Sequence, residues 1–516
     1  MSLMRSMLTV GGHTMIGRLL GYVRDGLSAN ILGAGILSDA FLLAVKIPGI
    51  FRRLFAEGAF NSSFVPIFSG TMATQGKQEA KLFAEHSITI LAIFLTILVI
   101  GIEYFMPIFI SFMTPGLLKT PEKLKYVIEF THITFPFIIF ISMSAILGGI
   151  LNSIDRFAAP ASAQSIGNLL IIIFFIFLVG FTQTPGHLAA WANLGAGVIQ
   201  FIWLYFFCAY AGIILKFRIP KFTPQVKEFF KKLLPGMIGA GVVHINLYVD
   251  LLLSSYLPEG GVTYFNYAER VSQLPLSIIG VAIGIALLPM LTKQMRQNEL
   301  KEAIFTQNRA TEFVLLCTIP IAIGLMVYSD GFVALIYGHG KFLEHSGNIH
   351  QTAYALCGFC VGIPAYVLMK VFSSTFFARK DTTTPLIIGL ISVVANFVLN
   401  WYLMQYYQHV GIAIGTSIAS WINALLLAAV LKKKNMMVID AQLKKNTPKI
   451  LISATIMGIL IYYIEPYFLE SMISGGFVWK AFALTLLVSI ATAAFLIPAH
   501  LLKCVDTKSM TDTRKS

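Results

Sequence analysis

The sequence predicts an all-α polytopic membrane protein with about fourteen transmembrane helices: two parallel six-helix repeats followed by two further helices. Composition is the first reason. Of 516 residues, 57% are hydrophobic and 12% charged, against roughly 25% charged in an ordinary soluble domain, and mean hydropathy is +0.77. The formal net charge of +14 falls in short runs between apolar stretches. It reads as a topology signal, with no nucleic-acid partner implied.

The second reason is the spacing of apolar windows near the roughly 20-residue spanning length. They fall at about 85–110, 127–151, 161–182, 188–212, 235–256, 272–291, 311–329, 351–377, 385–404, 410–431, 450–468 and 478–502. Residues 8–33 and 37–68 are long enough to cross but too polar for hydropathy alone. Charge sidedness admits them. Counted from a cytoplasmic N-terminus, alternate loops gather about twenty-five basic residues on one side and about five on the other, the latter including Lys119, Lys123, Lys125, Lys341 and Lys480. Dropping either weak segment inverts everything downstream, so both termini are expected in the cytoplasm. Arg5 precedes no compact apolar core with a cleavage site, and the first helix is read as retained. Thr223-Pro224 reads as a helix cap with Pro in the first turn. Val226, Phe229, Phe230 and Leu233 follow at helical spacing opposite Lys227, Lys231 and Lys232, as in an interfacial helix.

The third reason is an internal echo. Lys46-Ile47-Pro48 with Ser63-Phe64-Val65-Pro66 recurs as Gln273-Leu274-Pro275 with Ala286-Leu287-Leu288-Pro289. Asp155-Arg156 before Pro160 and Asn168 recurs as Lys380-Asp381 before Pro385 and Asn396. Both pairs lie roughly 225 residues, or six helices, apart, which keeps the two copies in the same orientation.

Charge inside the weakest spans points toward function. Arg18, Arg24, Asp25, Asp39, Lys46, Arg52, Arg53 and Glu57 all lie between Gly17 and Phe60. Four arginines facing lipid would cost on the order of 10 kcal/mol, so they must line something wet. Arg18 and Asp25 share a helix face and either support each other's burial or serve a site, whereas Arg24 lies off that face with no obvious local partner. Arg53 can pair with Glu57 at i, i+4, leaving Arg52 as the better ligand. Arg270, at the start of its span, either snorkels or faces inward. Asp250 lies deep in its span. With Asn396, Asn400 and Thr416 it offers the oxygen ligands of a cation site, or the three polar residues form a hydrogen-bonded cluster instead.

Gly17-Arg18-Leu19-Leu20-Gly21-Tyr22-Val23-Arg24-Asp25, Ser38-Asp39-Ala40-Phe41 and Phe51-Arg52-Arg53-Leu54-Phe55-Ala56-Glu57-Gly58-Ala59-Phe60 resemble the MurJ (MviN) family of bacterial lipid II flippases, within the multidrug/oligosaccharidyl-lipid/polysaccharide (MOP) exporter superfamily. Tyr267-Ala268-Glu269-Arg270, Leu274-Pro275, Pro289 and Ala378-Arg379-Lys380-Asp381 extend the resemblance over essentially the whole chain. The resemblance implies an N-lobe (1–215), a cytoplasmic amphipathic linker helix (216–234), a C-lobe (235–434), two extra helices with a groove for the lipid tail (435–502) and a cytoplasmic tail (503–516). It implies a central cationic cavity, with Arg18, Arg24, Arg52 and Arg270 binding substrate. It also implies a multi-pass protein of the bacterial cytoplasmic (inner) membrane, lipid II as cargo, and cell-wall synthases and division proteins as neighbours. Guanidinium forks match the diphosphate of that cargo. Asp25, Asp39, Lys46, Arg53 and Glu57 are candidate gate or cavity charges. Gln273 stands where an acid is expected from the family, and Asn400 where a second carboxylate would strengthen the cation site.

No cofactor is expected beyond a coupling cation, sodium or proton. There is no Walker motif, HExxH or nucleophile elbow, and Cys357-Gly358-Phe359-Cys360 sits in an apolar span as buried thiols. Two rival readings are weighed. A drug/cation antiporter of the superfamily needs acids and aromatics in its site, and a membrane-embedded enzyme on a polyprenyl carrier needs a sizeable loop. Export of another polyprenyl-diphosphate-linked glycan is the nearest alternative.

Overall fold

The computed structural model describes residues 3–55, 59–345 and 347–504. Glu57, and with it the expected Arg53–Glu57 pair, lies outside them. Regular structure among the described residues is helical throughout. Packing divides the chain into two compact units, Met1–Val262 with His339–Glu344, and Thr263–Gly338 with His345–Ser516.

The first unit is built from α1 (Leu3–Leu32), α2 (Ile36–Phe55), α3 (Ala59–Gln75), α4 (Lys77–Tyr104), α5 (Met106–Met113), α6 (Pro121–Thr134), α7 (Phe137–Ser153), α8 (Ala158–Phe177), α9 (Pro185–Tyr210) and α10 (Pro224–Ser254). The second contains α11 (Gly261–Arg296), α12 (Leu300–Val327), α13 (Ser329–Tyr337), α14 (Gly347–Cys360), α15 (Ile363–Ala378), α16 (Thr383–Lys433), α17 (Ala441–Ser474) and α18 (Phe477–Leu501). Ten stretches among the described residues are long and apolar enough to cross a membrane. Two of these run α6 into α7 and α14 into α15. A third, α16, is two helices joined where Gln408 takes φ 49° and ψ −126°. The separate windows at 385–404 and 410–431 reflect that break. The charge-bearing α1, α2 and α10 are not among the ten.

α10 begins as the sequence predicts. Thr223 is extended (φ −63°, ψ 163°), its hydroxyl accepts from the Val226 amide at 3.4 Å, and Pro224 opens the first turn. Val226, Phe229 and Leu233 are buried while Lys227, Lys231 and Lys232 are exposed. The structure differs from a separate interfacial linker. Residues 224–234 are the opening turns of one helix that runs on to Ser254, and protein covers their apolar face. The Phe229 ring lies 5.3 Å from Phe60 and 5.8 Å from Phe64, and Phe64 stacks on Phe83 at 5.2 Å. Burying a phenylalanine stabilises by about 1.5–3 kcal/mol, which explains why α10 groups with the first unit.

The sequence echo has a local counterpart. Asp155 takes φ 59° and the Arg156 amide donates to Leu151 O at 2.9 Å; 225 positions later Lys380 takes φ 62° and the Asp381 amide donates to Phe376 O at 3.0 Å. Both are left-handed helix stops with the long closing bond of a Schellman turn, made without glycine. The ends of α9 and α16 repeat the device at Gly212 (φ 74°) and Asn435 (φ 54°). At the second stop Asp381 also caps α16. It accepts from the Thr384 amide at 3.0 Å, the Thr384 hydroxyl at 2.8 Å and Lys434 Nζ at 2.7 Å. The Lys434 ammonium, followed by the two Thr384 bonds, holds the Asp381 carboxyl down at about 2.

Candidate substrate and ion sites

In the first unit α1 lies against α8 because Gly17 leaves room: a Cβ there would sit 3.0 Å from Ser165 Oγ. Asn168 uses this approach. Its amide donates to Gly17 O at 3.0 Å and its oxygen accepts from Arg24 Nη1 at 3.0 Å. Arg24 Nε and Nη2 donate to Asp25 Oδ1 at 2.9 and 2.6 Å. The expectation that Arg24 has no local partner is therefore corrected. Neighbouring helix positions diverge, but a guanidinium on a three-carbon stem can reach back to the next side chain. Asp25 thus pairs with Arg24. Among the described residues three of the five guanidinium N–H groups are engaged, leaving two for another acceptor. The Arg24 side chain is 29% exposed and that of Asp25 15%. Arg18, Lys46, Arg52 and Arg53 are half-buried on α1 and α2.

Asp39, in the first turn of α2, is fully buried with Lys123 of α6, Nζ to Oδ2 2.6 Å, and accepts from the Gly260 amide at 2.9 Å. Lys123 also donates to Leu257 O at 3.5 Å. Asp39, expected as a gate charge, thus joins α2, α6 and the turn after α10. Lys123, counted from sequence only as a loop charge, is 3% exposed. Removing one partner of such a pair leaves a buried charge without its counter-ion, at a cost of about 3–5 kcal/mol.

Arg270 is half-buried on α11 in the second unit, and Gln273, one turn on, donates to Glu269 at 3.0 Å. Within the same unit Asn396, Asn400 and Thr416 come together across the α16 break. Asn396 Nδ2 and Asn400 Nδ2 each donate to Thr416 Oγ1 at 3.2 Å, and Asn400 Nδ2 also reaches Asn396 Oδ1 at 3.3 Å. Asn400 Oδ1 is buried with no hydrogen-bond partner among the described residues. Gly415 makes the contact possible, since a Cβ there would collide with the Asn400 side chain. Asp250, the acid of the expected set, is half-buried on α10 and groups with the first unit. No cluster of three or more His, Cys, Asp or Glu suited to a metal occurs among the described residues.

Sequence reasoning missed three buried charged groups. Glu85 of α4 is fully buried and pairs with Arg218. Arg309 bridges Glu312 and Asp440, which fixes the start of α17 to α12. Lys480, 1% exposed on α18, donates to Gly338 O at 2.9 Å. An acid inside an apolar run was a visible signal for Glu85, but the distant partners left none.

A family model described as lipid II flippase MurJ matches residues 28–483. The chain belongs to the MurJ family of lipid II flippases. It is thus a member of a transporter family, not an enzyme family. A Rhizobium tropici relative called a probable lipid II flippase MurJ is 36% identical over 511 residues, covering 98% of this chain and 95% of the relative. One from Rickettsia prowazekii is 34% identical, covering 98% and 99%. Among solved structures, a lipid II flippase MurJ in an inward closed conformation aligns with a TM-score of 0.78 and 27% identity, over 95% of this chain and 98% of that one. An inward-facing MATE multidrug transporter of the MOP superfamily aligns at 0.67 and 17% identity, over 85% and 99%, and shares the fold.

Proposed function

We propose that this MurJ-family protein flips lipid II from the cytoplasmic to the periplasmic leaflet of a bacterial inner membrane by alternating access, supplying cell-wall synthesis. The observation that carries the reading is the Arg24 guanidinium. It is half-buried in a helix read as a span, oriented by Asp25 and Asn168, and among the described residues has two donors to spare. Orientation by neighbours lowers the ordering cost of binding, and the planar fork suits a diphosphate better than an ammonium does.

On this reading Arg18, Arg24 and Arg52 of the first unit and Arg270 of the second take the head group, while Lys46, Arg53 and Glu57 act as cavity charges. The tail stays in lipid along α17, where Ile323, Val327, Thr455, Gly458, Ile459, Tyr462 and Tyr463 line an open groove of about 450 Å³. We take α1, α2 and α10 as spans in addition to the ten apolar stretches, with α16 crossing twice, which gives fourteen. Both termini then lie in the cytoplasm. Asp250 and the Asn396–Asn400–Thr416 cluster are the coupling groups for sodium or a proton. A cation driven inward supplies about 2.3 kcal/mol per charge per 100 mV. Cell-wall synthases and division proteins are the proposed neighbours.

The test is leaflet accessibility of lipid II in cells depleted of their own flippase, with membrane levels matched. Wild type restores outward lipid II and Arg24→Ala does not. If wild type inserts correctly and fails, the cargo is another polyprenyl-linked glycan. Asp250→Ala, compared across sodium and proton gradients, tests coupling.

A further inference from the structure

The segment between α9 and α10 is built inside out for a loop in water. Its polar groups are pinned to protein: the Lys216 amide donates to Glu85 Oε1 at 3.1 Å, the Arg218 amide to Thr89 Oγ1 at 3.2 Å, and Tyr205 OH to Leu215 O at 3.1 Å. The Arg218 guanidinium is held by buried Glu85. Ile213 and Leu215 point inward, 2% and 5% exposed, whereas Phe217, Ile219 and Phe222 stand out at 66%, 84% and 61%. A water-facing loop gains nothing from fixing its backbone so that its largest apolar side chains face out.

The depth of the segment resolves this. Arg218 is bonded to Thr89 of α4, and four residues on, about 6 Å along the helix, Ile93 and Phe94 are already exposed as lipid-facing residues are. Phe217 and Ile219 therefore sit beside the boundary of the hydrocarbon. Lysines surround them. Lys216 and Lys221 are exposed within the segment and Lys227 and Lys231 just beyond it, while Lys232 is already paired with Glu228 at 2.6 Å.

We propose that residues 213–222 form a lipid-docking strap, with Phe217, Ile219 and Phe222 seated at the headgroup boundary and Lys216, Lys221, Lys227 and Lys231 holding anionic phospholipid headgroups. The strap takes over the interfacial role that the apolar face of α10 gives up by packing on Phe60 and Phe64. Aromatic and aliphatic anchors with flanking lysines are the composition that binds an anionic leaflet.

The experiment places an environment-sensitive fluorophore on Ile219→Cys in the full chain, corrected for labelling of the parent protein. The protein is reconstituted in phosphatidylcholine vesicles with and without phosphatidylglycerol. The expected result is quenching by nitroxide lipids labelled near the headgroup, protection from aqueous iodide, and stronger quenching with phosphatidylglycerol present. Replacing Lys216, Lys221, Lys227 and Lys231 by Gln should lower retention of phosphatidylglycerol by about five-fold per lysine. Iodide quenching would make the segment an aqueous loop and overturn the proposal. Shielding from both quenchers would assign it to a protein contact, and lipid quenching indifferent to phosphatidylglycerol and to the lysines would remove the anionic site; either result also overturns it.

Discussion

Asn168 and Asn396 occupy echoing positions in sequence, yet one serves a charge and the other a neutral cluster. Asn168 accepts from Arg24 beside Asp25, whereas Asn396 exchanges hydrogen bonds with Asn400 and Thr416. The two units share helix-stop geometry around these asparagines but differ in electrostatics. The matching turns carry different polar interiors: an arginine–carboxylate pair beside the asparagine in one unit, and a neutral asparagine–threonine cluster in the other.

The largest expected effect breaks the charged side of this comparison. Arg24→Ala should cut lipid II transport roughly a hundredfold or more, since it removes charge-assisted hydrogen bonds worth about 1.5–3 kcal/mol each, while insertion is unchanged. Arg24→Lys should restore only part, because an ammonium loses the fork; full rescue would show that charge alone suffices. Next is the dry pair that joins α2 to α6. Lys123→Met should destabilise by about 3–5 kcal/mol, read as a lower unfolding temperature in detergent, and Asp39→Asn in the same chain should recover much of the loss. No recovery would mean that Asp39 is held mainly by partners other than Lys123, the Gly260 amide among them.

The neutral side is sharpened by Asn400→Asp. A carboxylate beside Asn396 and Thr416 should lower the sodium concentration needed for transport, by about tenfold if it acts as one added hard ligand; an unchanged sodium dependence would make the cluster purely structural. The smallest effect belongs to Asp381. Losing this cap by Asp381→Ala should cost about 1 kcal/mol. Because its carboxyl titrates at about 2, below the ordinary value near 4, the wild-type contribution is complete above pH ~4 and fades as pH falls toward 2. The variant should lose that part of the acid dependence.

Helix positions were legible because apolar length is a local property. Thr223-Pro224 announced the start of α10, and the echo of Asp155-Arg156 in Lys380-Asp381 fell on matching helix stops, since caps and turns are written in a few adjacent residues. Charge sidedness alone was the ground for reading the two polar segments as spans. Partners were harder to read. Asn168 lies 144 positions from Arg24, and Lys123 84 from Asp39, so neither pairing leaves a sequence-local trace. The apolar face of α10 was visible in sequence, but its covering was not: period 3.6 says that a face is buried and is silent on whether lipid or Phe60 and Phe64 bury it.

α10 also has a mechanical consequence. The same helix begins in the phenylalanine cluster and ends near Asp250, 26 residues from Pro224. At 1.5 Å per residue that is a lever arm of about 39 Å, so pivoting the anchored end by about 5° sweeps the carboxylate through about 3 Å. Pro235 deletes one rung of the hydrogen-bond ladder along the way, and is where such a lever would flex.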